Sequence, residues 1–322
     1  MRQSRAGMSD TRLPRIGVAL GGGSARGWAH IGVLQWLAER GVEPTVVCGT
    51  SIGALVGAAQ AVGQLRRLHD WVEGLQWQDV VSYLDVSFDG GLIRGRKLFD
   101  FFQARFAAAS IEELACAYGA VATDLETGQE IWLRTGDLLD AVRASAALPG
   151  LFTPIRHDGR WLVDGGLVNP VPVSLCRALG ADVVIAVDLN ADRLGPRIRG
   201  QDDSEETELS AGSSEQPSEG LGALVVSAVR DQTRRWKDWW GSTTEKQEGP
   251  SLLDVVTRSV HIMQVRISRS RMAGDPPDVL LTPRLSQIGL MEFHRGHEAV
   301  AAGRECAVNA APAIENALAV DG

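Results

Sequence analysis

One serine of the chain lies where a nucleophile for acyl-transfer chemistry would be placed. Ser51 is the central residue of segment 49–53, G-T-S-I-G, which fits the pattern G-x-S-x-G. Residues 44–48 are mostly β-branched and apolar and predict a buried strand, and the small apolar residues 54–61 predict a buried helix. Strand, sharp turn and helix form the setting of a nucleophile elbow. The sequence therefore predicts that the Ser51 hydroxyl stands at the carboxyl end of a strand, near the positive end of a helix.

A glycine-rich loop precedes this elbow. Residues 15–20 predict a strand, residues 21–27 (G-G-G-S-A-R-G) a loop, and residues 28–40 a helix. Together with the next strand they form a βαβ unit, whose two strands should be parallel and adjacent. Both loops then lie at the same sheet edge, where open α/β sheets place their sites. Backbone N–H groups can converge there on a developing negative charge. We therefore predict an oxyanion hole at Gly21, Gly22, Gly23 and Ser24.

The same loop has two other interpretations. It could bind a dinucleotide, but Arg26 occupies the third glycine position of G-x-G-x-x-G. The following strand also ends without an acidic residue to hold a ribose, which argues against a nucleotide-binding oxidoreductase. The other interpretation is a tight turn with no role in catalysis.

The candidate base is Asp164. It follows the short predicted strand 160–163 and precedes Gly165 and Gly166. A serine hydroxyl needs a base within about 2.6–3.2 Å, and burial raises the pKa of an aspartate. A Ser51–Asp164 dyad fits these needs. The rival is a Ser–Asp–His triad with a late histidine. The α/β-hydrolase fold usually has several strands before its elbow, whereas here one strand precedes the serine-bearing strand.

Other polar residues receive structural interpretations. We expect His30 to have a structural role on the first helix. His294 and His297 form H-x-x-H but lack further ligands at the spacing of a metal site, so no metal is predicted. Ser145 ends a predicted helix over 137–145 without a glycine elbow, and we interpret it as a hydrogen-bonding residue at the helix end.

The composition excludes several protein classes. The chain has 322 residues, 44% of them hydrophobic and 22% charged, which suits a soluble globular protein. The net charge is −8, and seven acidic residues lie in 201–220 alone, so general nucleic-acid binding is disfavoured. The four cysteines form no C-x-x-C pair. We see no signal peptide and no membrane-spanning run, and expect a cytoplasmic protein.

The motifs together resemble those of the patatin-like phospholipases, most closely the small bacterial RssA-type branch. The similarity runs from about residue 15 to 305 and is carried in the family's order by 21–27, 49–53, 144–149, 164–166 and 275–298. The resemblance implies an α/β class protein with a three-layer α/β/α fold, a central, mostly parallel sheet and a serine elbow. It also implies a Ser51–Asp164 dyad, an oxyanion loop, no cofactor, and calcium-independent hydrolysis of phospholipid or lysophospholipid acyl esters.

The supporting motif residues under this resemblance are Arg26, Gly27, Gly49, Gly53, Gly165 and Gly166. A non-catalytic regulator or adaptor of the same fold is the alternative, acting through the acidic loop. The presence of Ser51, Asp164 and the glycine loop argues against it. Oligomeric state is not predicted.

The predicted organisation has four segments. Residues 1–14 form a flexible tail, 15–198 the catalytic core, 199–220 a disordered acidic loop, and 221–322 helices and a last strand that complete the same domain. Segment 221–240 combines three tryptophans with basic residues. That composition suits either peripheral contact with the inner face of a membrane or a helix docked on the domain. Further strands are predicted at 118–124, 130–134, 181–187 and 278–281, and helices at 65–75, 95–106, 173–179, 252–270 and 292–318.

Overall fold

The computed structural model describes residues 14–83, 110–149, 152–191 and 252–319. By its contacts the chain divides into two units, one of Met1–Gly195 with Val256–Gly322 and one of Pro196–Val255. The described residues belong to the first unit, apart from 252–255 at the start of one helix. The predictions for the tail before residue 14, the helix 95–106, the acidic loop 199–220 and segment 221–240 lie outside the described residues.

A single eight-stranded sheet organises the first unit. Its strands are β1 (Ile16–Leu20), β2 (Val46–Thr50), β3 (Ala117–Asp124), β4 (Glu130–Leu133), β5 (Ile155–His157), β6 (Arg160–Asp164), β7 (Val183–Val187) and β8 (Val279–Leu281). The described α-helices are α1 (Ala29–Glu39), α2 (Ile52–Ala61), α3 (Leu65–Glu73), α4 (Trp77–Tyr83), α5 (Leu138–Ser145), α6 (Val173–Ala178), α7 (Leu252–Gly274), α8 (Gly296–Asn309) and α9 (Ala311–Ala319).

The sheet is buried on both faces, which is why its central strands read as unbroken apolar runs. Successive residues of a strand point to opposite faces. In β1, Val18 and Leu20 join one apolar cluster, with side chains of α1, α2 and α8, whereas Ala19 joins another, with side chains of α6. In β7, Ile185 belongs to the first of these clusters and Val184 to the second. This arrangement is the predicted three-layer α/β/α fold with a mostly parallel central sheet.

The strand order is β5-β6-β3-β2-β1-β7-β8, with β4 pairing β3. Strands β1, β2, β3, β7 and β8 are parallel to their neighbours in this central part. The predicted βαβ unit is confirmed, because β1 pairs with β2 in parallel through Gly17–Leu20. Strands β4, β5 and β6 are antiparallel additions at one side. The active-site loops therefore meet at the carboxyl edge of the parallel strands.

Some boundaries differ from those predicted. Strand β5 was not predicted, because its three residues are only partly buried and carry no apolar alternation. The first helix begins with a 3₁₀ turn at Ser24–Trp28, so the glycine loop runs directly into helical structure. The predicted helix 292–318 is a 3₁₀ turn at Phe293–Arg295 followed by α8 and α9. Among the described helices, none combines the length and apolar composition needed to cross a membrane.

Candidate active site

Ser51 occupies a strained turn between β2 and α2. Its backbone has φ 57° and ψ −123°, in the left-handed half of conformational space that non-glycine residues rarely adopt. The flanking glycines are required by close packing. A Cβ on Gly53 would lie 2.1 Å from the Leu20 carbonyl oxygen, and one on Gly49 would lie 2.4 Å from the Ala54 nitrogen. The predicted elbow geometry is therefore present, with its serine half-buried.

The register of β3 explains why Asp164 lies beside this elbow. Val121 of β3 pairs with Thr50 at the end of β2, and the next residue, Ala122, pairs with Asp164 at the end of β6. Strands β2 and β6 run in opposite directions on the two sides of β3, and they end opposite consecutive residues of β3. The residue after Thr50 is Ser51, so the sheet itself brings the hydroxyl and the carboxylate together.

The Asp164 carboxyl group is buried and accepts hydrogen bonds beside the elbow. Its side chain is 1% exposed, and its Oδ1 accepts a hydrogen bond from the Gly166 N–H at 2.7 Å. Ser51 also forms a side-chain hydrogen bond with this group. Burial raises the pKa of Asp164 to about 6, because the loss of water outweighs the hydrogen bonds from Ser51 and Gly166, which lower it. The group is therefore ionised at neutral pH and binds a proton more strongly than an aspartate in water.

The C-terminal turn of α5 holds the backbones of both residues. Ser145 is fully buried, and its Oγ accepts the Ser51 N–H at 2.9 Å. Two residues later, the Ala147 carbonyl accepts the Asp164 N–H at 2.9 Å. The interpretation of Ser145 as a hydrogen-bonding residue at a helix end is confirmed, and its partner is the backbone of Ser51.

We expect Ser145→Ala to lower kcat about ten- to a hundredfold. The change leaves the Ser51 N–H without its acceptor and frees a strained backbone to shift, and small misplacements of reacting groups have effects of this size. The measurement is kcat and KM on a soluble short-chain ester, with circular dichroism to verify folding. Ser268→Ala, at another buried serine, is the matched control. A folded Ser145→Ala variant with the kcat of wild type would contradict this role.

The glycine loop lies next to Ser51, but its four predicted donors are not equivalent. A Cβ on Gly22 would lie 3.5 Å from the Ser51 Cβ. The Gly21 N–H already donates to the Val187 carbonyl at 3.0 Å, and the Gly22 N–H donates to the Pro170 carbonyl at 2.9 Å. The N–H groups of Gly23 and Ser24 make no hydrogen bond within the described ranges. Of the four predicted oxyanion donors, these two therefore lack an acceptor among the described residues, whereas the N–H groups of Gly21 and Gly22 hold the loop.

The supporting residues Arg26 and Gly27 pack behind the loop. Arg26 is fully buried, and its Nε donates to the Ile288 carbonyl at 2.8 Å. A Cβ on Gly27 would lie 2.2 Å from the Ile52 side chain, so this glycine lets the loop approach the start of α2. Similarly, Gly165 approaches β3 so closely that a Cβ would lie 2.1 Å from the Val121 carbonyl oxygen.

His30 has the structural role expected of it. It is fully buried, and its Nε2 lies 2.8 Å from the Gly21 carbonyl oxygen. Burial lowers its pKa to about 4, so the ring is neutral at neutral pH. Because a carbonyl oxygen only accepts, the proton must be on Nε2. His30 thus holds the glycine loop and does not act as a base.

The two histidines of the H-x-x-H pattern have separate partners in the structure. His297 lies 3.0 Å from a carboxylate oxygen of Glu73, and the His294 ring packs edge-on against Trp77. Across the part of the chain that the structure describes, no three metal-binding side chains come together. No histidine contributes to the pKa shift of Asp164.

Sequence reasoning missed a buried polar network beside the elbow. The Thr50 hydroxyl donates to the Asn169 carbonyl at 2.8 Å, and the Asn169 amide donates to Glu130 at 2.7 Å and to Ser174 at 3.1 Å. Arg271 of α7 forms a salt bridge with the same Glu130. The only signal in the sequence was a polar Asn169 between apolar residues, and two of its three partners, Thr50 and Glu130, lie far away along the chain.

Comparison with known proteins places this chain among patatin-like proteins. A family model described as patatin-like phospholipase matches residues 18–177. An uncharacterized NTE family protein of Mycobacterium tuberculosis is 33% identical over 94% of this chain and 92% of its own length. Patatin-like phospholipase domain-containing protein 7 of Mus musculus is 36% identical, over 55% of this chain and 14% of its own.

Lysophospholipase NTE1 of Pyricularia oryzae is 28% identical over 89% of this chain and 18% of its own length. A crystal structure of VipD from Legionella pneumophila matches 92% of this chain and 66% of that chain, with a TM-score of 0.43 and 14% identity. These relatives do not test the RssA-type branch, which stays a prediction. The chain itself belongs to the patatin-like phospholipase family, a family of lipid ester hydrolases.

Proposed function

We propose that this protein hydrolyses acyl esters of phospholipids or lysophospholipids through a Ser51–Asp164 dyad. The observation that carries the proposal is the pairing of Ser51, in a strained elbow, with a buried carboxylate whose pKa is raised to about 6. Membership of a lipid hydrolase family supports the substrate class, and the relative named lysophospholipase NTE1 supports a lysophospholipid as the first substrate to test.

Acylation needs one proton transfer and one charge stabilisation. As Ser51 Oγ attacks the ester carbonyl carbon, Asp164 accepts the hydroxyl proton. The carbonyl oxygen becomes an oxyanion, which accepts hydrogen bonds from the N–H groups of Gly23 and Ser24. When the tetrahedral intermediate collapses, the ester C–O bond breaks and the leaving alcohol takes the proton from Asp164. The products of this half-reaction are the free alcohol and an acyl ester on Ser51.

Deacylation repeats the sequence with water as nucleophile. Asp164, again ionised, accepts a proton from water as the oxygen attacks the acyl carbon. The same two N–H groups stabilise the second oxyanion. Collapse breaks the bond to Ser51 Oγ, which recovers its proton from Asp164, and the fatty acid leaves. A single carboxylate therefore serves as base and acid in both halves, which suits a pKa near the working pH.

Membrane contact through segment 221–240 is a further part of the proposal. Trp236, Trp239 and Trp240 lie near basic residues there, a composition that favours the membrane–water interface. The substrates of a phospholipase lie in or partition to membranes, so peripheral contact would place the site near them. This proposal rests on the sequence, because the segment lies outside the described residues.

The test of the proposed function is covalent labelling combined with a lipid panel. We expect a fluorophosphonate probe to label the folded protein once per chain, with the adduct mapped to the peptide that contains Ser51. Turnover of lysophospholipids, phospholipids and short-chain esters should fall in proportion to the labelled fraction. A folded protein that neither reacts with the probe nor releases fatty acid from any member of the panel would favour the non-catalytic adaptor.

A further inference from the structure

Side chains from distant parts of the chain fix two peptide groups of the glycine loop. In a trans peptide, the C=O of one residue and the N–H of the next point in opposite directions. A side chain that binds the C=O therefore also sets the direction of the next N–H. His30 Nε2 donates to the Gly21 carbonyl at 2.8 Å, and Asn190 Nδ2 donates to the Gly22 carbonyl at 3.0 Å.

The two peptides differ in whether their N–H groups have a hydrogen-bond acceptor. Opposite His30, the Gly22 N–H reaches the Pro170 carbonyl at 2.9 Å, so this peptide is fixed at both ends. Opposite Asn190, the Gly23 N–H meets no acceptor in the described part of the chain. We propose that Asn190 is a positioning residue, which turns the Gly22–Gly23 peptide so that the Gly23 N–H faces the oxyanion. This inference rests on the proposed function, because it assigns the residue that aims one of its oxyanion donors.

The orientation of the Asn190 amide follows from its two neighbours. Arg26 can only donate hydrogen bonds, and its guanidinium Nη1 lies 3.5 Å from Asn190 Oδ1. The Gly22 carbonyl can only accept. The amide oxygen must therefore face Arg26, and the amide NH₂ must face Gly22. Since Asn190 is 2% exposed, water has little access to replace either contact.

This arrangement gives Arg26 of the glycine motif a physical role. Its Nε is anchored on the Ile288 carbonyl at 2.8 Å, and the whole side chain is buried. A fixed cation beside Oδ1 opposes rotation of the Asn190 amide, since the flipped amide would place its NH₂ against the guanidinium. Arg26 thus acts on the loop through Asn190.

The segment after β7 holds the loop by packing as well as by hydrogen bonding. The Val187 carbonyl accepts the Gly21 N–H, and Leu189 lies so close to Gly23 that a Cβ there would be 2.7 Å from Leu189 Cδ1. Asn190 itself is fixed by its own N–H, which donates to Asp188 Oδ1 at 2.9 Å. The loop therefore has little freedom except rotation of the Gly22–Gly23 peptide, which the Asn190 amide prevents.

The test compares Asn190→Asp and Asn190→Ala with wild type. Asp keeps the shape and can still face Arg26, but it cannot donate to the Gly22 carbonyl. We expect kcat to fall about a hundredfold in both variants, the size seen when one oxyanion donor is lost, with KM changed less than threefold. The second readout is inhibition by a long-chain alkyl trifluoromethyl ketone, whose adduct with Ser51 carries an oxyanion. Its inhibition constant should rise by a factor close to the fall in kcat/KM.

A merely structural role would lower the amount of folded enzyme and leave the inhibition constant unchanged. Val279→Ala, which removes packing in β8, is the control for a general loss of stability, and it should keep the wild-type inhibition constant. A folded Asn190→Asp or Asn190→Ala variant with unchanged kcat and unchanged inhibition constant overturns the inference. Wild-type turnover by Ser51→Ala would instead overturn the proposed function, so the two failures are distinguishable.

Discussion

Ser51→Ala is expected to lower ester turnover by at least about 10⁴-fold and to abolish labelling by a fluorophosphonate. The hydroxyl is the only group of the proposed site that forms a bond to the acyl carbon, and losses of a serine nucleophile have effects of this order. The measurement is steady-state hydrolysis of a lysophospholipid and of a short-chain ester, with mass spectrometry of the probe-treated protein.

Two outcomes would contradict this assignment. Ser24 lies in the glycine loop, next to the elbow that holds Ser51. A label that persists in Ser51→Ala and maps to Ser24 would show that Ser24 is the nucleophile. Unchanged turnover with no label would mean that the chemistry proceeds without a serine ester. Ser24→Ala is the matched control: it keeps the backbone N–H proposed for the oxyanion hole and should remain labelled at Ser51.

The strain at the elbow gives a second measurement on the same position. At φ 57° and ψ −123°, alanine is as strained as serine, whereas glycine adopts such angles freely. Ser51→Gly should therefore be more stable than Ser51→Ala by about 1–2 kcal/mol in urea unfolding, although both are inactive. Equal stability of the two variants would show that the turn relaxes when the hydroxyl is removed.

The elbow and the first βαβ unit were predictable because they depend on local patterns. An apolar run, two glycines at fixed spacing and a small-residue helix fix the position of Ser51 within about 20 residues of chain. Asp164 was found from its strand-end Asp-Gly-Gly sequence. Its approach to Ser51 was not visible in periodicity, because it depends on the register of Val121 and Ala122 in β3. That register is a property of the whole sheet.

The functional differences among the loop glycines could not be read from the sequence. Gly21 and Gly22 resemble Gly23 in every local respect. Which N–H groups are available is decided by acceptors at Pro170 and Val187, more than 140 residues away along the chain. The same holds for Asn190, whose importance depends on Arg26 and Gly22. Polar contacts between distant loops carry no signature in composition or spacing, so these assignments depend on the folded structure.

Asp164→Asn is expected to lower turnover by about 10²–10⁴-fold while the protein becomes more stable. Asparagine keeps the shape and can still accept the Gly166 N–H, but it cannot take the proton from Ser51. In wild type the carboxyl pKa is raised from 3.8 to about 6, so the charged form is disfavoured in the fold. The fold therefore favours the protonated carboxyl. Its contribution to the stability of wild type is fully present below pH 3.8 and is lost as the pH rises through about 6. At about 1.4 kcal/mol per pKa unit, the variant should gain about 3 kcal/mol at pH 8.

Lowering the pH through 6 should reduce the activity of wild type and raise its stability relative to Asp164→Asn. Because the base must be ionised, wild-type kcat/KM should fall about tenfold per pH unit below pH 6, and the stability advantage of Asp164→Asn should shrink over the same range. The measurements are a pH–rate profile on a soluble ester and urea unfolding of both proteins between pH 5 and 8. A stability difference that does not change between pH 5 and 8 would show that the fold does not raise the pKa of Asp164 above its value in the unfolded chain.

Histidine variants decide between the dyad and a Ser–Asp–His triad. His30→Gln, His261→Gln, His294→Gln and His297→Gln should each keep activity within about tenfold, roughly 1.4 kcal/mol of barrier. His261 is the most informative of them, because it is buried on α7 one turn before Gln264, and the Gln264 side chain lies against Gly166. If folded His261→Gln lost as much activity as Asp164→Asn, a histidine would share the proton transfer and the dyad would be wrong. If all four variants keep their activity within about tenfold, Asp164 accepts the Ser51 proton without the help of these histidines.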